Sequence, residues 1–460
     1  MSETTPMTGT EADRLRAVTK DCVHCGFCLP ACPTYQLWGE EMDSPRGRIH
    51  LVNQLLDGAP LTDATAGHFD ACLGCMACMT ACPSGVQYDQ IIETARTWVE
   101  DAAEAAEPVS ESPGQAPARR SLKDRATREA IFALFPYPER LRAATGPLRL
   151  MQKTGLDKLV AKSGLPARIS PTADAALRIA PRTGKFPAGR FPEKVPAVGD
   201  RRAVVGMLTG CVQSVYFPRV NAATARVLAA EGCDVIIPRD QGCCGALSSH
   251  SGRVAEAAGF ARKLIETFEA AGVETIIVNS AGCGSAMKEY ERLFAHLAAD
   301  AGPGDTEAAS WAERAAALSA CVKDLSEFLA GLDPVAPRHP LPVKAAYHDA
   351  CHLGHAQGIT AQPRSLLGGI PELELVEIGD AGTCCGSAGV YNLLQPEAAQ
   401  ELGSRKADAV QATEASLVIS ANPGCTLQIS SQLEARGASL ATAHTAEVLD
   451  ASIRGANPWA

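Results

Sequence analysis

The chain has 460 residues, 42 Lys+Arg against 52 Asp+Glu for a net charge of −10, and is 46% apolar and 20% charged. This is globular composition, and at about 150 residues per domain it suggests about three domains. No run reaches the ~18 uncharged apolar residues of a membrane span, and the start MSETTPMTGTEADRLRAVTK has no apolar signal-peptide core. The acidic balance with 5% aromatics argues against a nucleic-acid binder. The 18 cysteines read as thiolate metal ligands in a reducing compartment, because domains of this size need no disulfide staples.

Residues 1–100 carry the first chemistry. Cys22, Cys25, Cys28 and Cys32-Pro33 form C-x2-C-x2-C-x3-C-P, and Cys72, Cys75, Cys78 and Cys82-Pro83 repeat it fifty residues later. This is the spacing of two-cluster bacterial ferredoxins, in which three thiolates on a tight turn meet one cubane and the fourth reaches the other. The expected sets are Cys22, Cys25, Cys28 and Cys82 for one 4Fe–4S cluster, and Cys72, Cys75, Cys78 and Cys32 for the second. A zinc site would call for paired C-x2-C knuckles instead. Ser44-Pro45 reads as the start of a helix carrying Ile49, Val52, Leu55 and Leu56, and Tyr88, Ile91, Ile92, Ala95 and Val99 mark another. The module is therefore expected to be an α-helical ferredoxin. Arg46 and Arg48 either tune the clusters or dock an acidic partner, or else form a solvated helix face.

Residues 101–202 turn Ala-, Pro- and Arg-rich (Glu107-Pro108, Pro113-Gly114, Phe135-Pro136-Tyr137-Pro138, Phe186-Pro187, Phe191-Pro192), which predicts a partly ordered connector with short helices. Residues 119–202 hold 19 Lys+Arg and 7 Asp+Glu, a net of +12 that leaves −22 for the remainder. That asymmetry either holds the connector against the chain's own acidic domains or presents it to an anionic membrane surface or partner.

Residues 203–330 and 331–460 repeat one another. Cys211, Cys243-Cys244-Gly245 and Cys283 are matched by Cys351, Cys384-Cys385-Gly386 and Cys425 at offsets of 140, 141 and 142, the mark of internal duplication. Apolar, β-rich runs precede the cysteines at 203–208, 234–238 and 275–278, and again at 345–347, 373–378 and 417–420, with helical patterns such as 221–230 and 254–270 between them. Alternation of this kind predicts a parallel sheet with the cysteines gathered at one edge. Each half thus offers four thiolates, enough for one additional iron–sulfur cluster, and the glycine after each cysteine pair would let backbone approach it closely. His348, His352 and His355 around Cys351, and His250 after the first pair, are candidate auxiliary ligands or proton carriers, or ordinary polar residues. His348 and His352 make the second half the better candidate for a third cluster. Cys233 and Cys321 fit neither pattern and read as buried small apolar residues.

No G-x-G-x-x-G opens a helix after a strand, and neither G-x-x-x-x-G-K-[ST] nor G-x-S-x-G occurs. No motif here binds a flavin or nicotinamide, so electrons must come from another subunit. The expected class is α+β multidomain: an N-terminal α-helical ferredoxin, a connector, and a C-terminal duplicated α/β cysteine-rich domain with a parallel sheet.

The stretches CVHCGFCLPACPTYQLWGEEMDSPRGRIHLVNQ, CLGCMACMTACPSGVQY, NAATARVLAAEG, QGCCGA, AGCGSAMKEY and TCCGSAGVYNLLQPE resemble the iron–sulfur subunits of bacterial glycolate oxidases (glycolate dehydrogenases). The likeness covers nearly the whole chain and is weakest across the connector. It implies an electron-transfer subunit without a substrate-oxidising site of its own. It further implies an FAD subunit that oxidises glycolate to glyoxylate, a second flavin-type subunit, and transfer onward to membrane quinone. The location implied is cytoplasmic, or peripheral on the cytoplasmic face of the inner membrane. The two Cys-Cys-Gly halves also look like the cysteine-rich domain of heterodisulfide reductases, whose active-site cluster uses an extra C-x2-C. Here Cys283 is followed by Gly284-Ser285-Ala286 and Cys425 by Thr426-Leu427-Gln428. Alternatives are the iron–sulfur subunit of an anaerobic glycerol-3-phosphate or lactate dehydrogenase, a thiol–disulfide reductase, and a zinc scaffold.

Overall fold

The computed structural model describes residues 7–105, 120–181, 191–438 and 440–459; Glu107-Pro108, Pro113-Gly114 and Phe186-Pro187 of the predicted connector lie outside them. Among the described residues no strand precedes Lys194. The N-terminal unit is built from helices that include Pro33–Trp38, Pro45–Leu56, Asp63–Asp70 and Tyr88–Ala105. Ser44 caps the second of these by accepting from the Gly47 N–H at 3.0 Å, with Pro45 in the first turn where its missing N–H costs nothing. Ile49, Val52, Leu55 and Leu56 then face Ile91, Ile92, Ala95 and Val99 in one core. Each such side chain contributes roughly 1.5–3 kcal/mol of burial.

The connector is more helical than its prolines suggest. Helices Leu122–Leu134 and Pro138–Thr154 are 13 and 17 residues long, followed by Leu156–Lys162, Leu165–Ile169 and Pro171–Ile179. The reason is positional: Pro138, Pro166 and Pro171 all occupy the first turn of a helix, and only Pro147 lies inside one. Ala, Leu, Lys and Arg between them are strong helix formers. Part of its positive charge is spent internally. Arg120 and Arg128 converge on Asp70, at 2.8 and 3.4 Å, and on Glu100 of the N-terminal unit.

Two sheets follow. The first contains β1 (Lys194–Val195), β2 (Ala203–Met207), β3 (Cys233–Ile236), β4 (Ile276–Val278) and β5 (Val322–Asp324) in the order β1-β3-β2-β4-β5. The second contains β6 (Val343–His348), β7 (Leu373–Glu377), β8 (Leu417–Ser420) and β9 (Ala441–Ala443) in the order β7-β6-β8-β9. Apart from β1, which runs antiparallel to β3, all pairs are parallel, and the two orders superpose strand for strand. Strand β1, which has no counterpart in the second sheet, belongs to the first sheet although it lies before residue 203, so that sheet begins inside the predicted connector. The sheets share a core: Val205, Met207, Val235 and Ile277 from the first meet Ala345, Tyr347, Leu417 and Ile419 from the second. The helices Pro218–Ala230 and Thr445–Ile453 are tied by the Arg226–Asp450 pair at 2.7 Å.

Candidate metal centres

The first motif lies at the surface. Cys22, Cys25, Cys28 and Cys82 line one cavity together with Pro45, Arg46 and Tyr88, and Cys78 of the second motif also reaches its wall. Cys25 is exposed, and Val23 and Phe27 beside it are 67% and 65% exposed. Burial pushes the Cys28 thiol above its ordinary value, while the Arg46 backbone N–H facing it works in the opposite direction. The Arg46 guanidinium donates to both Glu41 carboxylate oxygens, at 2.6 and 3.0 Å, and to the His24 carbonyl at 3.2 Å. This clamps the loop that carries the triplet.

The second motif is enclosed. Cys72, Cys75 and Cys78 are all buried, as is Cys32, whose sulfur lies 3.2 Å from the Thr34 hydroxyl and close enough to Cys75 and Cys78 to raise their pKa values. Burial pushes Cys75 and Cys78 far up. Cys72 differs: burial would raise it too, yet the Arg48 and Arg96 guanidiniums, the Gly74 N–H and the Tyr88 hydroxyl hold it below the ordinary thiol value. Arg48 is no solvated face. It is 1% exposed and donates to the Asp43 carbonyl at 2.6 Å, the His68 carbonyl at 2.6 Å and the Asp43 carboxylate at 3.2 Å. Arg96, which sequence reading passed over, donates to the Cys72 carbonyl and, at 2.7 Å, to the His250 carbonyl. The available signal was an arginine on the buried stripe of Ile92, Ala95 and Val99.

In each cysteine-rich half the cysteines follow strand ends on the carboxyl edge of the sheet, where the strand order reverses. Cys211 and Cys351 begin short helices after β2 and β6, and Cys283 and Cys425 lie in the helices Ala281–Lys288 and Pro423–Ala435 after β4 and β8. The thiols form a file. Cys211 is 3.5 Å from Cys243, and Cys243 contacts Cys244, which contacts Cys283. Cys351, Cys384, Cys385 and Cys425 repeat the sequence of contacts. Packing by itself already calls for glycine at Gly245 and Gly386. Both have left-handed φ, of 79° and 84°, and a Cβ would lie 3.0 Å from the Ala257 carbonyl or 2.6 Å from that of Ala399.

The histidines separate. His355 is satisfied at both nitrogens, by the Thr80 hydroxyl and the Gly382 carbonyl, each at 2.9 Å. His250 meets Glu93 at 3.2 Å, and its ring lies 4.8 Å from that of His352, whose Nδ1 is 3.5 Å from the Cys351 sulfur. Among the described residues, His348 is the histidine that joins two thiols as a donor set: one ring nitrogen and the sulfurs of Cys385 and Cys425 lie within 4.8 Å of one another. Its pKa is lowered to about 3 by burial, with Lys406 adding to the effect, so the imidazole is neutral. Cys233 is fully buried in the shared core, while Cys321 is only half-buried.

The second motif abuts the second half. Leu73, Cys75 and Ala77 pack with Cys384, Tyr391 and Leu402, and the Tyr391 hydroxyl donates to the Ala71 carbonyl at 3.1 Å. Cys75 is close enough to Cys351 for that thiol to raise its pKa, and close enough to Cys384 to raise that of Cys384.

Comparison with known proteins agrees with this division. Residues 18–86 match the 4Fe-4S dicluster domain, 123–179 the linker region of the glycolate oxidase iron–sulfur subunit, and 205–288 and 345–430 the CCG cysteine-rich domain. The chain is 37% identical to the probable glycolate oxidase iron–sulfur subunit of Bacillus subtilis, covering 93% of each chain. It is 34% identical to the glycolate oxidase iron–sulfur subunit of Escherichia coli, covering 92% of this chain and 91% of that one. Lactate utilization protein A of an Exiguobacterium is 31% identical but matches only 55% of this chain. From its cysteine motifs, its linker and its likeness from end to end, the chain belongs to the family of glycolate oxidase iron–sulfur subunits.

Proposed function

We propose that this chain carries electrons from a flavin-bearing subunit that oxidises glycolate to glyoxylate toward a quinone-type acceptor. Cys22, Cys25, Cys28 and Cys82 would hold one 4Fe–4S cluster and Cys72, Cys75, Cys78 and Cys32 the other. The donor chemistry fits, with four thiols gathered per site and backbone N–H groups and two guanidiniums turned toward them. When bound, such clusters supply one-electron carriage, which a flavin reduced by two electrons needs in order to discharge singly. The cysteines of the second Cys-Cys-Gly half extend the file of thiols beyond the second motif. The observation that carries this reading is the burial of the second motif between the exposed first motif and Cys384. The chain's own residues thereby line up a surface site, an enclosed site and a third nest of thiols.

The test is assembly. The chain reconstituted with iron and sulfide should reduce no dye with glycolate, and adding the flavin subunits should restore turnover. Glycolate-dependent dye reduction by the single chain would refute the reading.

The connector gives this relay a place. Residues 138–169 carry seven Lys+Arg against two Asp+Glu, a net of +5, and Leu150, Leu156, Leu159 and Leu165 are exposed alongside Lys153, Lys158 and Lys162. Exposed leucines among lysines suit the interface of an anionic membrane, where a quinone acceptor would be found. No helix of the described residues is long and apolar enough to cross a membrane. Binding to anionic vesicles that weakens steeply with salt, and falls in a Lys153→Glu/Lys158→Glu/Lys162→Glu variant, is the expected result. Absence of binding at low salt would leave the positive charge with an internal role only.

A further inference from the structure

We propose that the second cysteine-rich half holds a mixed imidazole–thiolate metal centre, of the zinc or iron class, in which His348, Cys385 and Cys425 bind the same ion, and that the first half is not built to form one. This extends the reading of the Cys-Cys-Gly cysteines as metal ligands and does not depend on the relay.

The two copies of one fold differ around their thiols. His348 ends β6, where the equivalent residue at the end of β2 is Leu208. Its register partner on β8 is Ser420, and the residue equivalent to Ser420 on β4 is Val278. Ser387, two residues past Cys385, corresponds to Ala246. Three apolar residues around the first nest of thiols, all buried, are therefore replaced by three buried polar ones around the second. None of the replacements is satisfied. Both ring nitrogens of His348 and the hydroxyls of Ser387 and Ser420 lack a hydrogen-bond partner among the described residues. Burying polar groups unpaired is costly, and a chain that does so three times around one spot points to a ligand there.

The chemistry of the donors says which ligand. Neutral imidazole beside two sulfurs is a soft-to-borderline set that favours zinc or iron over magnesium or calcium. Metal–sulfur and metal–nitrogen bonds of about 2.3 and 2.0 Å put tetrahedral donors about 3.5–3.8 Å apart. The three donor atoms already lie within 4.8 Å of one another, so small side-chain rotations bring them onto a single ion. Cys384, in contact with Cys385, supplies a further sulfur. In the first nest Leu208 belongs to the same buried apolar cluster as Cys211, Cys243 and Cys244, and among the described residues no histidine gathers with those thiols.

The test uses the full chain, prepared anaerobically with iron and sulfide or with zinc alone. Iron and zinc are counted per chain, and X-ray absorption of the bound metal is recorded in a Cys25→Ser/Cys75→Ser background that empties the N-terminal sites. The expected result is a bound metal with a mixed nitrogen and sulfur shell. His348→Leu, the residue the first half carries, should abolish it, with circular dichroism unchanged. His348→Cys should retain the metal with an all-sulfur shell. Zinc and iron are told apart by the count, and either supports the site. No metal in that background, or a metal whose content and nitrogen shell survive His348→Leu, would overturn the proposal. Since the background already lacks the N-terminal centres, failure of the electron-relay reading leaves this result standing.

Discussion

Around the first ferredoxin motif Val23 and Phe27 are 67% and 65% exposed, whereas around the second Leu73, Met76 and Ala77 are all buried. The ligand spacing is identical, so the spacing makes the loop and the surroundings decide what the loop is for. An exposed site can meet another subunit, and an enclosed one can only hand over within the chain. The arginines follow the same division. Arg46 clamps its loop from a half-exposed ion pair with Glu41, and Arg48 lies buried between Asp43, Thr34 and the cysteines of the second motif.

Replacing one thiol in each motif sharpens the contrast most. If the two proposed ligand sets each hold a 4Fe–4S cluster, Cys25→Ser and Cys75→Ser should each lose about four irons of ~8, with flavin reduction by substrate intact in the assembled complex. Only Cys75→Ser should also loosen the packing against Tyr391 and Leu402, seen as a lower Tm and faster proteolysis. Equal Tm values for the two variants would erase the distinction.

The arginines come next. Arg48→Met leaves the buried Asp43 carboxylate with only His68, at 2.9 Å, and takes the guanidinium donor from the Asp43 and His68 carbonyls, which should cost about 3 kcal/mol in denaturant unfolding, while Arg46→Ala should cost at most about 1 kcal/mol.

A pH dependence follows from the docking that encloses the second motif. Helix Tyr88–Ala105 carries Asp89 and Glu93 onto Arg292 and His250 of the first cysteine-rich half, next to Glu289. Burial first, then the charge of Glu93, push Glu289 up to about 7 from 4.5. Folding then favours its protonated form, so this contribution is fully present below about 4.5 and is lost as pH rises to about 7, with a ceiling of ~3 kcal/mol. Glu93, held down by His250 and Arg292 despite its burial, slopes the other way at lower pH. Glu289→Gln should flatten the fall between pH 5 and 7, measured by urea unfolding at fixed pH.

The smallest effect on stability belongs to the exposed side. Phe27→Glu should leave iron content unchanged and Tm within the equivalent of about 0.5 kcal/mol. If the flavin subunit docks there, electron transfer between subunits should slow about tenfold in stopped flow. An unchanged rate would move the docking site elsewhere.

Much of this was readable before any coordinates. The β-rich runs at 203–208 and 417–420 are strands, Ser44-Pro45 starts a helix, and both files of four cysteines lie at strand ends, because these features depend on local pattern and a repeated period. What escaped depends on contacts distant in sequence or on position within a helix. Pro138, counted toward a Pro-rich connector, starts a helix, as do Pro166 and Pro171. Strand β1 is only two residues long and is made a strand by β3. The packing of Leu73 and Cys75 on Cys384 and Tyr391 joins segments some three hundred residues apart, which no local pattern encodes. His348 was noticed for its closeness to Cys351 in sequence, but its donor partners are Cys385 and Cys425, brought to it by the sheet.

The enclosure of the second motif also dictates an order of assembly. Once Tyr391 has closed on the Ala71 carbonyl and Arg96 has bridged the Cys72 and His250 carbonyls, Cys75 is buried against Cys384. A cluster held by Cys75 would therefore have to be inserted before the cysteine-rich halves close onto the N-terminal unit, whereas one held at exposed Cys25 would stay open to filling and repair at the surface of the finished protein.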